Sequence, residues 1–313
     1  TDAVLVLHKG TIVYERYLGV TRQDTPHIAF SVTKSFIGTI AEMLVQEGRL
    51  DPKAPVAELL PEMVGSGFAD ATLAQVMDMT TALDFSEEYT DPSSGIGAMS
   101  NALGLTPRAP GYTGPGDVYA FLPTIRKSGN HGERFTYRTC NTEVLGWIVA
   151  RTEGKRIDQV LSERIWAPLG MEQDADFLTD STGMPFAGGG LNPVLRDMAR
   201  FGETMRCDGY GNGGQNIARA AVSAIKAGGS KAAFAPAGYQ WLQDGSYTRQ
   251  WWIMPGNNGA FSARGIHGQA IYVDPVAEVV IARFGSHPIA ANTAFDSTSL
   301  PAFRAVAEHL SRG

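Results

Sequence analysis

Ser31 and Lys34, three residues apart in Ser31-Val32-Thr33-Lys34, put a hydroxyl and an amine on one face of a helical turn. A serine hydroxyl is a poor nucleophile until a neighbouring base takes its proton. A lysine kept from water or close to another cation can be neutral at pH 7 and act as that base. The pair therefore reads as a nucleophile with its activator. The pattern by itself is weak, since about one S-x-x-K is expected by chance in a chain of this length. A second copy, Ser223-Ala224-Ile225-Lys226, lies in the alanine-rich run Asn216 to Ala233, which reads as surface helix.

The surroundings separate the two copies. Ser31 follows the apolar Ile28-Ala29-Phe30 and precedes a run from Phe36 to Val45 that is apolar almost all round, the mark of a buried helix. Gly48 is placed to end that helix, with Pro52 shortly after. A serine at the head of a buried helix is rigidly held. Its own N–H, unpaired at the helix start, is half of an oxyanion hole.

The 313 residues are enough for one large domain or two lobes, and 43% hydrophobic content is ordinary for a globular protein. A net charge of −6 argues against nucleic acid or an anionic membrane as a partner. No apolar stretch approaches the roughly 20 residues that span a bilayer. Two cysteines, Cys140 and Cys207, make no disulfide framework and are expected to be reduced. Neither a metal-ligand cluster nor a phosphate-binding glycine loop is present, and Gly188-Gly189-Gly190 lacks the spacing of a dinucleotide fingerprint, so no metal or cofactor is expected. The chain starts at Thr1 and enters a strand pattern almost at once, so the N-terminus is expected to be cut, with any leader upstream.

The elements that must position Ser31 and Lys34 are β-like at both ends and helical between. Ala3 to Leu7 and Thr11 to Tyr17 flank a turn at His8-Lys9-Gly10; Gln269 to Val273 and Glu278 to Phe284 flank Asp274-Pro275. Helical spacing marks Thr72 to Met79, Thr142 to Ala150, Pro193 to Met205 and Leu300 to Leu310. The longest loop runs from Thr90 to Gly116, a length that is commonly functional. The pattern predicts an α+β fold in which an antiparallel sheet from both chain ends, flanked by helices, carries an inserted mainly helical lobe. Residues 1–50 and 237–313 form the α/β lobe and 51–236 the helical one, with the site in the cleft between them.

Three features together are similar to the motifs of the serine β-lactamase and penicillin-binding superfamily. They are the S-x-x-K, the later Tyr137-Arg138-Thr139, and a glycine-containing strand near the C-terminus. Within the superfamily the chain resembles class C lactamases, family-VIII esterases and, most fully, the 6-aminohexanoate-dimer hydrolases. Segments around Gly48, Glu87, Asn141, Gly245 and Gly265 follow in the same order along nearly the whole chain. The resemblance implies a β-lactamase/transpeptidase-like fold. It makes Ser31 the acylated nucleophile, Lys34 its base, Tyr137 the phenol that shuttles the proton, and the Ile266 N–H the second oxyanion donor. Tyr89 resembles a loop tyrosine that covers substrate. Trp251 and Trp252 alternate on a strand, so one faces the cleft and the other the core, the sequence not deciding which; Trp252 is carried as the candidate substrate contact.

The chain also departs from the pattern. Ala263-Arg264-Gly265 stands where lactamases carry Lys-Thr-Gly, and Arg264 differs from that lysine in shape and reach, which weakens a penicillin-directed role. His267 is expected to contact either substrate or a neighbouring backbone. Ser100 and Gly188 fall where the efficient dimer hydrolases carry an aspartate and an asparagine, so neither offers a charge for a substrate ammonium. The expectation is a cytoplasmic serine hydrolase acting on a small-molecule amide or ester, with a homodimer compatible with the sequence. The competing readings are a β-lactamase or D-alanyl-D-alanine carboxypeptidase, and a non-catalytic binding module on the same scaffold.

Overall fold

A computed structural model of the chain describes residues 1–108 and 110–312; Ala109, in the long Thr90–Gly116 segment, and Gly313 lie outside the described residues. Seven strands form one antiparallel sheet: β1 Ala3–His8, β2 Thr11–Tyr17, β3 Ser246–Thr248, β4 Trp251–Ile253, β5 Phe261–Gly265, β6 Gln269–Asp274 and β7 Val279–Phe284. In space they run β2-β1-β7-β6-β5-β4-β3, so the first strand pairs with the last and both chain ends meet in the sheet.

Strand period 2 divides the core. On β6, Ile271 and Val273 join one apolar cluster with Phe36, Ile37 and Phe201, while Ala270 and Tyr272 join a second with Leu300, Phe303 and Trp252. Four helices matter for the site: α1 Val32–Gln46, α2 Gly95–Leu103, α3 Thr139–Glu153 and α4 Leu195–Arg206. Helix α1 is buried along thirteen consecutive residues, Val32 to Leu44, as its all-round apolar sequence requires. Past its end Gly48 takes φ +71°, a left-handed conformation that glycine adopts without Cβ strain.

Two sequence-based assignments are corrected. The Thr90–Gly116 segment is not all loop, because it holds the nine residues of α2. There the Ser94 side chain accepts the Gly97 N–H as an N-cap, Ile96, Met99, Ala102 and Leu103 are buried at helical spacing, and Gly104 closes the end with φ +72°. Gly95 and Gly97, poor helix formers, masked that signal. The run from Asn216 to Ala233 is two helices, Arg219–Lys226 and Lys231–Phe234, interrupted at Gly228-Gly229. Gly229 has no room for a side chain, since a Cβ there would lie 2.1 Å from the Tyr247 carbonyl oxygen.

The turn between β3 and β4 locks the sheet to α1. Arg249 and Gln250 both have positive φ, +48° and +66°, at positions where such turns favour Asn-Gly. Side-chain bonds offset the strain. Gln250 Nε2 donates to the Met77 carbonyl at 3.0 Å, its Oε1 accepts from Thr142 Oγ1 at 2.8 Å, and its carbonyl accepts from Ser35 Oγ at 2.7 Å. Gly38 lets this turn touch α1, because a Cβ there would lie 2.2 Å from the Arg249 carbonyl oxygen and 2.6 Å from Gln250 Cβ. Helix propensity favours Gly38→Ala by about 1 kcal/mol, whereas overpacking costs about 1–3 kcal/mol and falls here on backbone. The substitution is expected to lower stability by about 1–2 kcal/mol, read as a lower urea midpoint at unchanged m. An unchanged or raised midpoint would show that the turn moves aside freely.

Candidate active site

Ser31 immediately precedes α1 and lies on the wall of a cavity of about 680 Å³. In the tight turn that leads into the helix, the N–H groups of Val32, Thr33 and Lys34 bond to the carbonyls of Ala29, Phe30 and Ser31. The Ser31 N–H is left out of that ladder. Strand β5 approaches it closely: a Cβ on Gly265 would stand 2.6 Å from the Ala29 carbonyl oxygen and 3.1 Å from the Ser31 nitrogen. Glycine is needed there, and it brings the next residue, Ile266, to the same cavity wall.

Lys34 is 1% exposed, with Nζ 3.1 Å from Ser31 Oγ and a short hydrogen bond to the Gly188 carbonyl. Burial pulls its pKa down from 10.5 to about 8, against the opposing pull of Glu87, Glu143 and Cys140. Roughly one-tenth of such an amine is neutral at pH 7, against about one part in three thousand for an ordinary lysine. Tyr137 brings its ring to 5.4 Å from Lys34 Nζ. Burial raises its pKa well above 10, with the Ser31 side chain a hydrogen-bonding neighbour that tempers the rise. The phenol thus holds its proton at neutral pH, and the lysine is the group able to accept one.

Two carboxyls flank the amine, Glu87 half-buried on the cavity wall and Glu143 buried behind it. Glu87 accepts from the Thr139 N–H at 3.0 Å, from Thr139 Oγ1, and from the Tyr89 hydroxyl at 2.9 Å. Burial raises its pKa, opposed by Lys34. Glu143, on α3 and 1% exposed, accepts the Gly188 N–H, and burial lifts its pKa to about 8. Sequence reasoning assigned neither a role: a glutamate in a helical or loop pattern carries no sign of its burial.

The remaining candidates fall in two groups. Tyr89 and Trp252 line the cavity with Ser31, Tyr137 and Ile266. Trp252 stacks on Tyr137 at 5.5 Å, while Trp251 is fully buried and donates from Nε1 to Thr39 Oγ1 at 3.1 Å, so Trp252 is the cleft-facing member. Arg264 also lines the cavity, paired with Asp296 and 5.3 Å from the Trp252 ring. Ser100, Gly188 and His267 do not line it. Ser100 is half-buried on α2. His267 holds the loop beyond β7, its Nδ1 2.6 Å from the His287 carbonyl oxygen and its N–H bonded to Ala290. Gly188 lies behind Lys34; a Cβ there would stand 2.5 Å from Thr139 Cγ2 and 2.8 Å from Glu143 Oε1. A side chain at 188 would therefore crowd Thr139 and Glu143 beside the lysine's anchor. The second S-x-x-K copy has Ser223 exposed, and Cys140 is fully buried with its thiol pKa pushed well up by burial. Among the described residues no three His, Cys, Asp or Glu side chains converge as a metal site, and no helix is long and apolar enough to cross a membrane.

A serine and a desolvated lysine at the head of one buried helix, with a protonated tyrosine beside them, are an arrangement able to carry acyl transfer. The chain belongs to the β-lactamase family, whose profile matches residues 1–289, and it is a serine hydrolase. It is 40% identical over 289 residues to the 6-aminohexanoate-dimer hydrolase of Paenarthrobacter ureafaciens, covering 92% of this chain and 73% of that protein. A solved structure from Bacillus anthracis, provisionally named a 6-aminohexanoate-dimer hydrolase, superposes with a TM-score of 0.89 at 33% identity, covering 99% of this chain and 80% of that one. A family VIII carboxylesterase shares the fold at a TM-score of 0.69 and 16% identity, covering 91% and 86% of the two chains.

If Lys34 serves as a base, its reactive form is the one without its proton, so activity rises with pH, and burial brings that rise down from 10.5 towards about 8. kcat/KM for an uncharged ester is expected to climb along a limb with its midpoint near 8, measured as a pH–rate profile. A limb near the ordinary lysine value, or none between pH 6 and 9, would contradict a desolvated base.

Proposed function

We propose that the chain hydrolyses small amides and esters through an acyl-enzyme on Ser31, with Lys34 as general base and Tyr137 as proton shuttle. The observation that carries this reading is the 3.1 Å contact between a buried amine and a serine hydroxyl on a cavity wall. Lys34 takes the Ser31 proton as Oγ bonds to the substrate carbonyl carbon, and the carbonyl electron pair moves onto oxygen. The N–H groups of Ser31 and Ile266 receive that oxyanion. Collapse expels the amine or alcohol, which takes its proton from Tyr137, and Lys34 returns a proton to the phenol. Water then repeats the sequence on the acyl-enzyme and frees the acid. The same reading divides the chain near residues 50 and 236, supported by a sheet whose strands come only from 3–17 and 246–284. A reducing compartment such as the cytoplasm is the proposed setting, supported by two unpaired cysteines.

The favoured substrates under this reading lack a free ammonium. Of the carboxylates on the cavity wall Asp296 is paired with Arg264, while Glu87, Glu88 and Glu133 accept hydrogen bonds from Thr139 and Tyr89, from Thr90 and from Asn130, and Ser100 lies off the wall and offers no charge. Hydrogen bonds to a charged group are worth roughly 1.5–3 kcal/mol, or about ten- to more than a hundredfold in rate. Short-chain esters are expected to be cleaved at least about tenfold faster than 6-aminohexanoate dimer in a side-by-side kcat/KM comparison. Equal efficiency on both would show that an ammonium partner is present after all.

Ser31→Ala is expected to reduce turnover by about 10⁴ to 10⁶, and Ser223→Ala to leave it unchanged. Mass spectrometry after fluorophosphonate treatment should place the label on Ser31; a label elsewhere sinks the assignment.

A further inference from the structure

Lys34 is anchored by a residue that cannot touch substrate. A neutral amine has two N–H bonds and one lone pair, and only one orientation aims the lone pair at a chosen neighbour. Here one N–H is taken by the Gly188 carbonyl, while Ser31 Oγ lies 3.1 Å from Nζ on another side. The Gly188 carbonyl is itself held in place, because the same residue's N–H is fixed on Glu143 Oε1. Glycine at 188 is what lets the carboxyl reach that N–H: a Cβ would lie 2.8 Å from Glu143 Oε1. Glu143 projects from α3, one helical turn past Thr139, and is 1% exposed, so it has no route to the cavity.

We propose that Glu143 is a positioning residue for Lys34. By holding the Gly188 peptide it keeps one amine N–H off Ser31 and leaves the lone pair available to the serine hydroxyl. This inference rests on Lys34 being the base.

Its charge is part of the device. Lys34 is faced by Glu143 and Cys140 from α3, by Glu87 from the loop before α2, and by the Tyr137 ring; Glu143 is faced in addition by Asp180 and Tyr119. Both groups are brought to about 8, so they titrate together, and where the carboxyl is ionised it stabilises the Lys34 ammonium; removing that charge while keeping the hydrogen bond lowers the pH at which the amine becomes free. Glu87 still acts on the amine in such a variant, which keeps the shift partial.

Three variants decide the matter, with kcat, KM and pH–rate profiles on a short-chain ester normalised to fluorophosphonate-titrated sites. Glu143→Gln keeps an oxygen for the Gly188 N–H. It should retain a plateau kcat within about threefold of wild type, with the rising limb moved down by about half a pH unit or more. Glu143→Ala loses the clamp, and its plateau kcat should fall by about ten- to a hundredfold with KM within about twofold. A merely structural glutamate would lower the titrated fraction without moving the limb. A limb in Glu143→Gln that coincides with wild type, or a plateau in Glu143→Ala within twofold of it, overturns the proposal. Lys34→Ala separates the two levels. If the limb survives there, the base assignment itself fails; if it vanishes there yet stays unmoved in Glu143→Gln, only the role of Glu143 fails.

Discussion

An amine held out of water beside a serine hydroxyl is the constraint on which the rest of this structure depends. Stripping water from a lysine ammonium is costly, and a buried lysine meets that cost by releasing its proton or by finding partners. Lys34 does both. Burial alone would depress its pKa further, and Glu87 and Glu143 bring it back to about 8. The result lies between a fully charged ammonium and a fully neutral amine.

Holding that balance requires rigidity, which comes from elements far apart in sequence. Helix α1 is enclosed on all sides, so Ser31 and Lys34 cannot shift to regain water. The turn at Arg249-Gln250 pins α1 to the sheet through Ser35 and to the helical segment through Met77 and Thr142. The left-handed backbone of two non-glycine residues persists there because the surrounding hydrogen bonds over-determine it. Two glycines then allow close approach: Gly265 brings β5 against the serine, and Gly188 brings a carbonyl to the lysine.

The cavity wall follows from strand alternation. Trp251 and Trp252 point to opposite faces of β4, one into the core with Phe201 and Phe261, the other onto Tyr137 and Arg264. Arg264 packs against the Trp252 ring, and Asp296 neutralises it from the C-terminal helix.

Much of this was legible in the amino-acid sequence. The apolar run after Ser31 announced a buried helix, the turn residues at His8-Lys9-Gly10 and Asp274-Pro275 announced hairpins, and the spacing from Ser31 to Tyr137 to Gly265 carried the family resemblance. These are local periodicities and motif spacings, which a single chain displays directly. The tertiary structure alone decided which of two tryptophans faces the cleft, that His267 secures a loop, that Gly188 sits behind the lysine, and that Glu87 and Glu143 share its surroundings. The reason is physical: the desolvation of a charged group and the room beside a glycine depend on atoms brought into contact by residues far away along the chain, 215 positions in the case of Ser35 and Gln250. No window of sequence contains those atoms.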